Sequence, residues 1–206
     1  MESSRSFPPL VVSGLFIISG ISALIYQMVW QRALLTLYGS NAESVAMVVA
    51  AFLVGLGFGS LLGGLLSRMN WVSPVVCFAI CELGVGVYGL VSLDFFKWAA
   101  SHTSLADSLA TGLLAFGLVF LPTLLMGATL PLLVSYQTRE FAHAGKAVSS
   151  LYFVNTLGAA LGAFFAVFYC LGRFGMSGSV RIAALLNLLV TVIVLGVWIV
   201  RVRRAS

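Results

Sequence analysis

Apolar residues in this chain gather into long runs separated by short polar breaks. Uncharged stretches cover residues 6–31, 44–67, 108–138, 147–172 and 182–200. Each is near or above the roughly 20 residues a helix needs to cross the hydrocarbon core. A sixth run, 74–89, carries one charge, Glu82, with eleven uncharged residues following it before Asp94. The pattern predicts an all-α, polytopic membrane bundle of six transmembrane helices in a single domain, 1–206. Breaks such as Tyr38-Gly39-Ser40-Asn41 are short, and Ser40-x-x-Glu43 reads as a capping box opening the second helix. Ser104-x-x-Asp107 does the same before the fourth, and the stretch 94–107 is expected to lie along the membrane interface.

Composition supports the membrane reading. The 206 residues are 61% hydrophobic and 8% charged, against about 25% charged in a soluble domain. Trp71, Trp98 and Trp198 mark span ends, where amphipathic rings prefer to lie. The first apolar run is longer than the core of a signal peptide and reads as a retained helix. Net charge is +5, and the distribution of the basic residues matters more than their sum. With six spans, one side collects Arg5, Arg68, Arg139, Lys146, Arg201, Arg203 and Arg204, and the other Arg32, Lys97, Arg173 and Arg181. The positive-inside rule then puts both termini in the cytoplasm, in a bacterial cytoplasmic membrane. The basic tail suits anionic lipid and calls for no nucleic acid. Cys77, Cys81 and Cys170 lie in apolar runs with no metal-ligand or disulfide spacing, and read as small core residues.

Spans two and five look like copies. Residues 51–63 align without gaps to 150–162, which puts Gly59 on Gly158 and Gly63 on Gly162. Three helices per copy turn the second copy upside down relative to the first, an inverted three-plus-three repeat of about 10–98 and about 107–204 that resembles half of a major facilitator fold. Gly55, Gly59 and Gly63 form two successive G-x-x-x-G steps, and Gly158 and Gly162 form another. Such faces let helix backbones approach closely, and they predict that spans two and five pack tightly at the middle of the bundle. Gly84-Val-Gly-Val-Tyr-Gly89 matches a nucleotide-loop pattern, but it lies inside an apolar span with no strand before it. In span four, Pro122, Gly127 and Pro131 predict a kink, because each proline removes a donor and crowds the preceding turn. Thr123 and Thr129 beside the kink either line a polar path or simply accompany a packing bend.

Three segments carry a resemblance: Ser19-Gly-Ile-Ser-Ala-Leu-Ile-Tyr-Gln-Met-Val-Trp-Gln-Arg32, Ala50-Ala-Phe-Leu-Val-Gly-Leu-Gly-Phe-Gly-Ser60 and Leu121-Pro-Thr-Leu-Leu-Met-Gly-Ala-Thr-Leu-Pro-Leu-Leu133. With Tyr152-Phe-Val-Asn-Thr-Leu-Gly-Ala-Ala-Leu-Gly162, they resemble the membrane portion of the fused major-facilitator/spermidine-synthase family, the spermidine-synthase-like integral membrane proteins. In that family an aminopropyltransferase-like part follows the membrane part, and these 206 residues hold none. The resemblance therefore implies a membrane module related to polyamine-type ligands, and not a synthase.

Candidate chemistry centres on Glu82. A charge at mid-membrane costs about 2.5–3.5 kcal/mol, so such residues face a partner or a cavity. Glu82 either hydrogen-bonds a neighbouring helix or faces a cavity where it handles a proton or an amine. Tyr26 and Trp30, one turn apart, offer faces for an organic cation or, the preferred reading, anchor the helix at the interface. Gln27, Asn155 and Asn187 complete the candidate substrate-binding set, although asparagines also pair helices for about 0.6 kcal/mol each. No nucleophile–base pair, metal set or cofactor loop is present, so neither enzyme activity nor a cofactor is expected. Two readings follow. One is a transporter-like module for a small organic cation such as a polyamine, working as a homo-oligomer or with another membrane chain. The alternative is a non-transporting subunit that scaffolds an enzyme or larger complex.

Overall fold

In hydrocarbon a backbone must satisfy its own polar groups, and long apolar runs do so as helices. The computed structural model describes residues 7–38, 42–69, 73–102, 108–141 and 144–205, and every element among them is helical. In chain order these are α1 (Pro9–Tyr38), α2 (Ala42–Leu66), α3 (Pro74–His102), α4 (Ser108–Phe141), α5 (Ala144–Phe165), a π-helical turn (Ala166–Cys170) and α6 (Leu171–Ala205). Five continuous helical stretches are long and apolar enough to cross a membrane, the last being Ala144–Arg203. The expected capping residues Ser40, Ser104 and Asp107 lie outside the described residues, as does Trp71.

The last stretch has 60 residues, about 90 Å if straight at 1.5 Å per residue, against a core of about 30 Å. Gly175 divides it. Its backbone (φ 63°, ψ −172°) is a conformation that glycine alone adopts readily. Before Gly175 the helix follows α1 in the same direction, with Gly158 against Ile17 and Gly162 against Ile21. After it the chain runs opposite to α3: Thr191 reaches the Ala79 carbonyl, and Gly86 lies beside Ala184.

Glycine contacts govern the closest helix pairs, but they differ from the pairing expected from sequence. Spans two and five do not meet through their glycines. Instead α2 packs on α4, with Gly59 against the Leu124 carbonyl, Gly63 against Ala128 and Gly127 against Leu56. On the opposite side α5 packs on α1, with Gly158 against the Ile17 carbonyl, Gly162 against Ile21 and Gly20 against Asn155. Gly55 belongs to the first set and abuts Thr123. A glycine stripe shows that something comes close, and it does not name the partner.

A second difference concerns 94–107. As far as His102 it continues α3 without a break, with Phe96 and Ala99 fully buried. Phe96 packs edge-on against Trp30, and that burial keeps the segment in the helix. Trp30 and Tyr26 are core residues too, not interfacial anchors. They are 1% and 0% exposed, stack at 4.7 Å, and Trp30 donates its indole N–H to Ser92 Oγ at 2.9 Å. α4 stays helical through Pro122 and Pro131. The Leu118 carbonyl that Pro122 cannot serve accepts the Tyr88 hydroxyl at 2.5 Å. The outer faces of α2, α5 and the π-helical turn, including Leu53, Phe58, Leu61, Phe153, Phe164 and Phe168, are exposed and apolar, as lipid requires.

A side chain at Gly59 or Gly158 would overlap a neighbouring backbone carbonyl, whereas Gly57 has open space around it. Gly158→Leu and Gly59→Leu should each lower stability by about 1–3 kcal/mol or more, read as a reduced melting temperature in detergent. Gly57→Leu should leave it unchanged. Equal melting temperatures for all three would contradict this packing.

Candidate functional site

Glu82 lies in the first third of α3, on the face turned to α1 and α6, and is 1% exposed. Both carboxylate oxygens are met by donors from other helices. Ser19 on α1 donates its hydroxyl to Oε1 at 2.6 Å, and Asn187 on α6 donates Nδ2 to Oε2 at 2.7 Å. These partners are 63 and 105 residues away in sequence, so the contact exists only in the assembled bundle. Unpaired buried charge is expensive, and donors placed on both oxygens lower that cost. One turn further along α6, Thr191 donates its hydroxyl to the backbone carbonyl of Asn187 at 3.0 Å.

Beside this cluster is a cavity of about 120 Å³ to which all six helices contribute. Its polar wall is formed by Ser19 and Gln27 from α1, Glu82 from α3, Thr129 from α4, Asn155 from α5 and Asn187 from α6. Leu24, Phe52, Leu56, Val85 and Met126 supply the apolar wall, and no Lys, Arg or His is among the lining residues. The Oδ1 atom of Asn187 is buried and has no donor among the described residues. The Thr129 hydroxyl is occupied by the Met126 carbonyl at 2.6 Å. This is an acceptor-rich pocket with one carboxylate and no fixed positive charge.

Of the sequence-predicted residues, Glu82, Gln27, Asn155 and Asn187 come together around this cavity. Tyr26 and Trp30 are not among its lining residues; Tyr26 points its hydroxyl at Gly89 instead. Thr123 faces α2 and bonds the Val119 and Phe120 carbonyls of its own helix. Pro122 is buried, and the Gly127–Leu56 contact draws α4 onto α2 at the wall of the cavity, which Leu56 lines. Ser19 was missed. A lone serine in an apolar run carries no signal of its own, and only its register on α1 relative to Glu82 reveals it. Among the described residues no cluster of three or more His, Cys, Asp or Glu is placed to hold a metal ion.

Comparison with known protein families, curated proteins and solved structures finds no match to this chain.

The hydrogen bonds rank the expected effects of substitution. Asn187→Leu leaves Glu82 Oε2 without its donor in a buried site and should cost about 1–3 kcal/mol. Glu82→Gln keeps the shape and lets both neighbours bond an amide, so it should cost less. Thermal unfolding in one detergent gives the order, and a Glu82→Gln protein less stable than Asn187→Leu would contradict it.

Proposed function

We propose that this chain is a six-pass, inverted-repeat, transporter-like membrane module that handles a small cation at Glu82. The observation that carries the reading is the central cavity, to which every helix contributes and whose wall holds a single carboxylate among polar side chains and no basic residue. Mid-membrane ionisable groups facing a cavity mark ion and substrate pathways, and inverted repeats place such sites near the midplane between the two halves.

Several contacts support six crossings in two related halves. The change of direction at Gly175 divides the 60-residue stretch into two passes. The three glycine contacts of α2 with α4 have counterparts in those of α5 with α1. Gly59–Leu124 corresponds to Gly158–Ile17, Gly63–Ala128 to Gly162–Ile21, and Gly127–Leu56 to Gly20–Asn155. The α3–α6 seam maps onto itself: exchanging the helices turns Ala79–Thr191 into Gly86–Ala184 and leaves Glu82–Asn187 in place. For orientation, Phe7, Ser67, Arg139 and Arg201 gather at one end. Phe7 bonds Tyr136, the Arg201 guanidinium lies over the Phe7 ring, and Arg139 bonds the Ser67 carbonyl. That basic end is the proposed cytoplasmic side.

At about 120 Å³, the cavity is smaller than the roughly 150 Å³ cavity that takes up a benzene. It therefore admits one ammonium head and not a whole polyamine, and the polyamine ligand implied by the family resemblance fits only in part. A second copy or partner chain is not needed to cover Glu82, which one chain already buries. The scaffold reading retains one observation in its favour, the complete pairing of both Glu82 oxygens within the bundle.

Two measurements test the proposal. Cysteine labelling in intact cells should find both the 139–146 segment and the C-terminus on the cytoplasmic side, and outward labelling of 139–146 would contradict the topology. In proteoliposomes, cation-driven flux should be present in the native chain and lost in a folded Glu82→Gln protein. A native chain that moves no cation or proton while still recruiting a membrane complex would favour the scaffold.

A further inference from the structure

We infer that Glu82 and Asn187 form the two equivalent positions of one binding site for a single monovalent cation of the alkali or ammonium type. The inference rests on reading the cavity as cation-handling and adds the charge, size and stoichiometry of what it holds.

Charge follows from the lining. Glu82 is the one ionisable group of the wall able to carry full charge near neutral pH, and no basic side chain opposes it. One bound positive charge makes the site neutral, and neutrality is what a low-dielectric interior rewards. A divalent ion would leave an excess charge in the same surroundings, and an anion would meet the carboxylate directly. The described residues offer no group of three His, Cys, Asp or Glu side chains to balance more.

Coordination follows from the free acceptors. Each Glu82 oxygen uses one lone-pair direction on Ser19 or Asn187 and keeps another. Asn187 turns its amide nitrogen to the carboxylate, which leaves its Oδ1 buried and unpartnered. Asn187 is 3% exposed, so this is a buried acceptor beside a polar cavity, the kind of group that normally has a partner. Asn155 and Gln27 face the same space from α5 and α1. Hard monovalent cations and ammonium both seek such oxygens, and about 120 Å³ leaves room for an ion with a few waters and excludes large organic cations.

Equivalence follows from the seam. The Glu82–Asn187 contact is the one that stays in place when α3 and α6 exchange roles, while its neighbours Ala79–Thr191 and Gly86–Ala184 trade places. The cavity is bordered by matched positions as well, Leu56 with Asn155 and Ser19 with Met126. A carboxylate at either position of the central pair should therefore serve the ion.

The test is cation-dependent thermal stability in detergent, which requires no transport. Native protein is titrated with sodium, potassium, ammonium and methylammonium chlorides, with N-methylglucamine chloride as the large-cation control at equal ionic strength. At least one small cation should raise the melting temperature saturably, as a ligand specific for the folded state does, and N-methylglucamine should not. Glu82→Gln, which keeps the hydrogen-bonding shape, should abolish the saturable shift. Asn187→Leu should weaken the apparent affinity by at least about tenfold. The exchange Glu82→Asn with Asn187→Glu should restore it. No saturable shift in the native protein, a shift matched by N-methylglucamine, or a shift that survives Glu82→Gln would each overturn the site. A folded exchange protein that binds no cation would overturn the equivalence. A saturable shift that Glu82→Gln removes, without flux in proteoliposomes, would uphold the site and reject transport.

Discussion

A carboxylate at the middle of an apolar bundle must be met by donors or by an ion, and the arrangement of α1, α3 and α6 answers to that requirement. Ser19 and Asn187 reach Glu82 from opposite sides, so three helices share one polar junction. Their register is fixed there, because a slide of one residue along α6 would carry Asn187 off the carboxylate and turn Leu186 or Leu188 towards it. Hydrophobic packing between helices in lipid is weakly directional, and small polar junctions of this kind supply direction. The glycine contacts do the complementary work. Gly59, Gly63 and Gly127 draw α2 onto α4, and Gly20, Gly158 and Gly162 draw α1 onto α5. These contacts hold α1 and α4, which have few exposed residues along their middle turns, against the α3–α6 seam and the cavity beside it.

Much of this was legible in the sequence, for identifiable reasons. Helical class and membrane character follow from run length and the scarcity of charge, both local properties. Glu82 stands out because a charge within an apolar run is rare enough to carry information alone. The glycine faces are visible because a four-residue period is a property of one helix. Pairing was not visible. Gly59 and Gly158 were expected to bring α2 and α5 together, yet each meets the backbone of a different helix, Leu124 and Ile17. Such a contact depends on two sequences far apart, and glycine records only its own side of it.

Aromatic residues were misplaced for a related reason. Tyr26 and Trp30 have the amphipathic character of interfacial anchors, but Ser92 supplies the indole partner inside the bundle, and with that bond made the rings pack in the core. Likewise the segment after Asp94 carries enough polarity to suggest an interface, while Phe96 and Ala99 recur at helical spacing on the face that α1 covers. In each case a tertiary partner decided between two local readings. The same Glu82 is both hydrogen-bonded and beside a polar cavity. A structural junction needs the bonds, whereas a cation site also needs the space.

The central claim, that Glu82 and Asn187 are direct partners across the α3–α6 seam, is tested most directly by a double-mutant cycle on unfolding free energy. Glu82→Leu, Asn187→Leu and the double variant are compared with the native chain in one bilayer or detergent system. Direct contact predicts that the losses fail to add, with an interaction energy of about 0.5–3 kcal/mol. Losses that add within about 0.3 kcal/mol would mean that the two residues do not touch, and the polar junction described here would not exist.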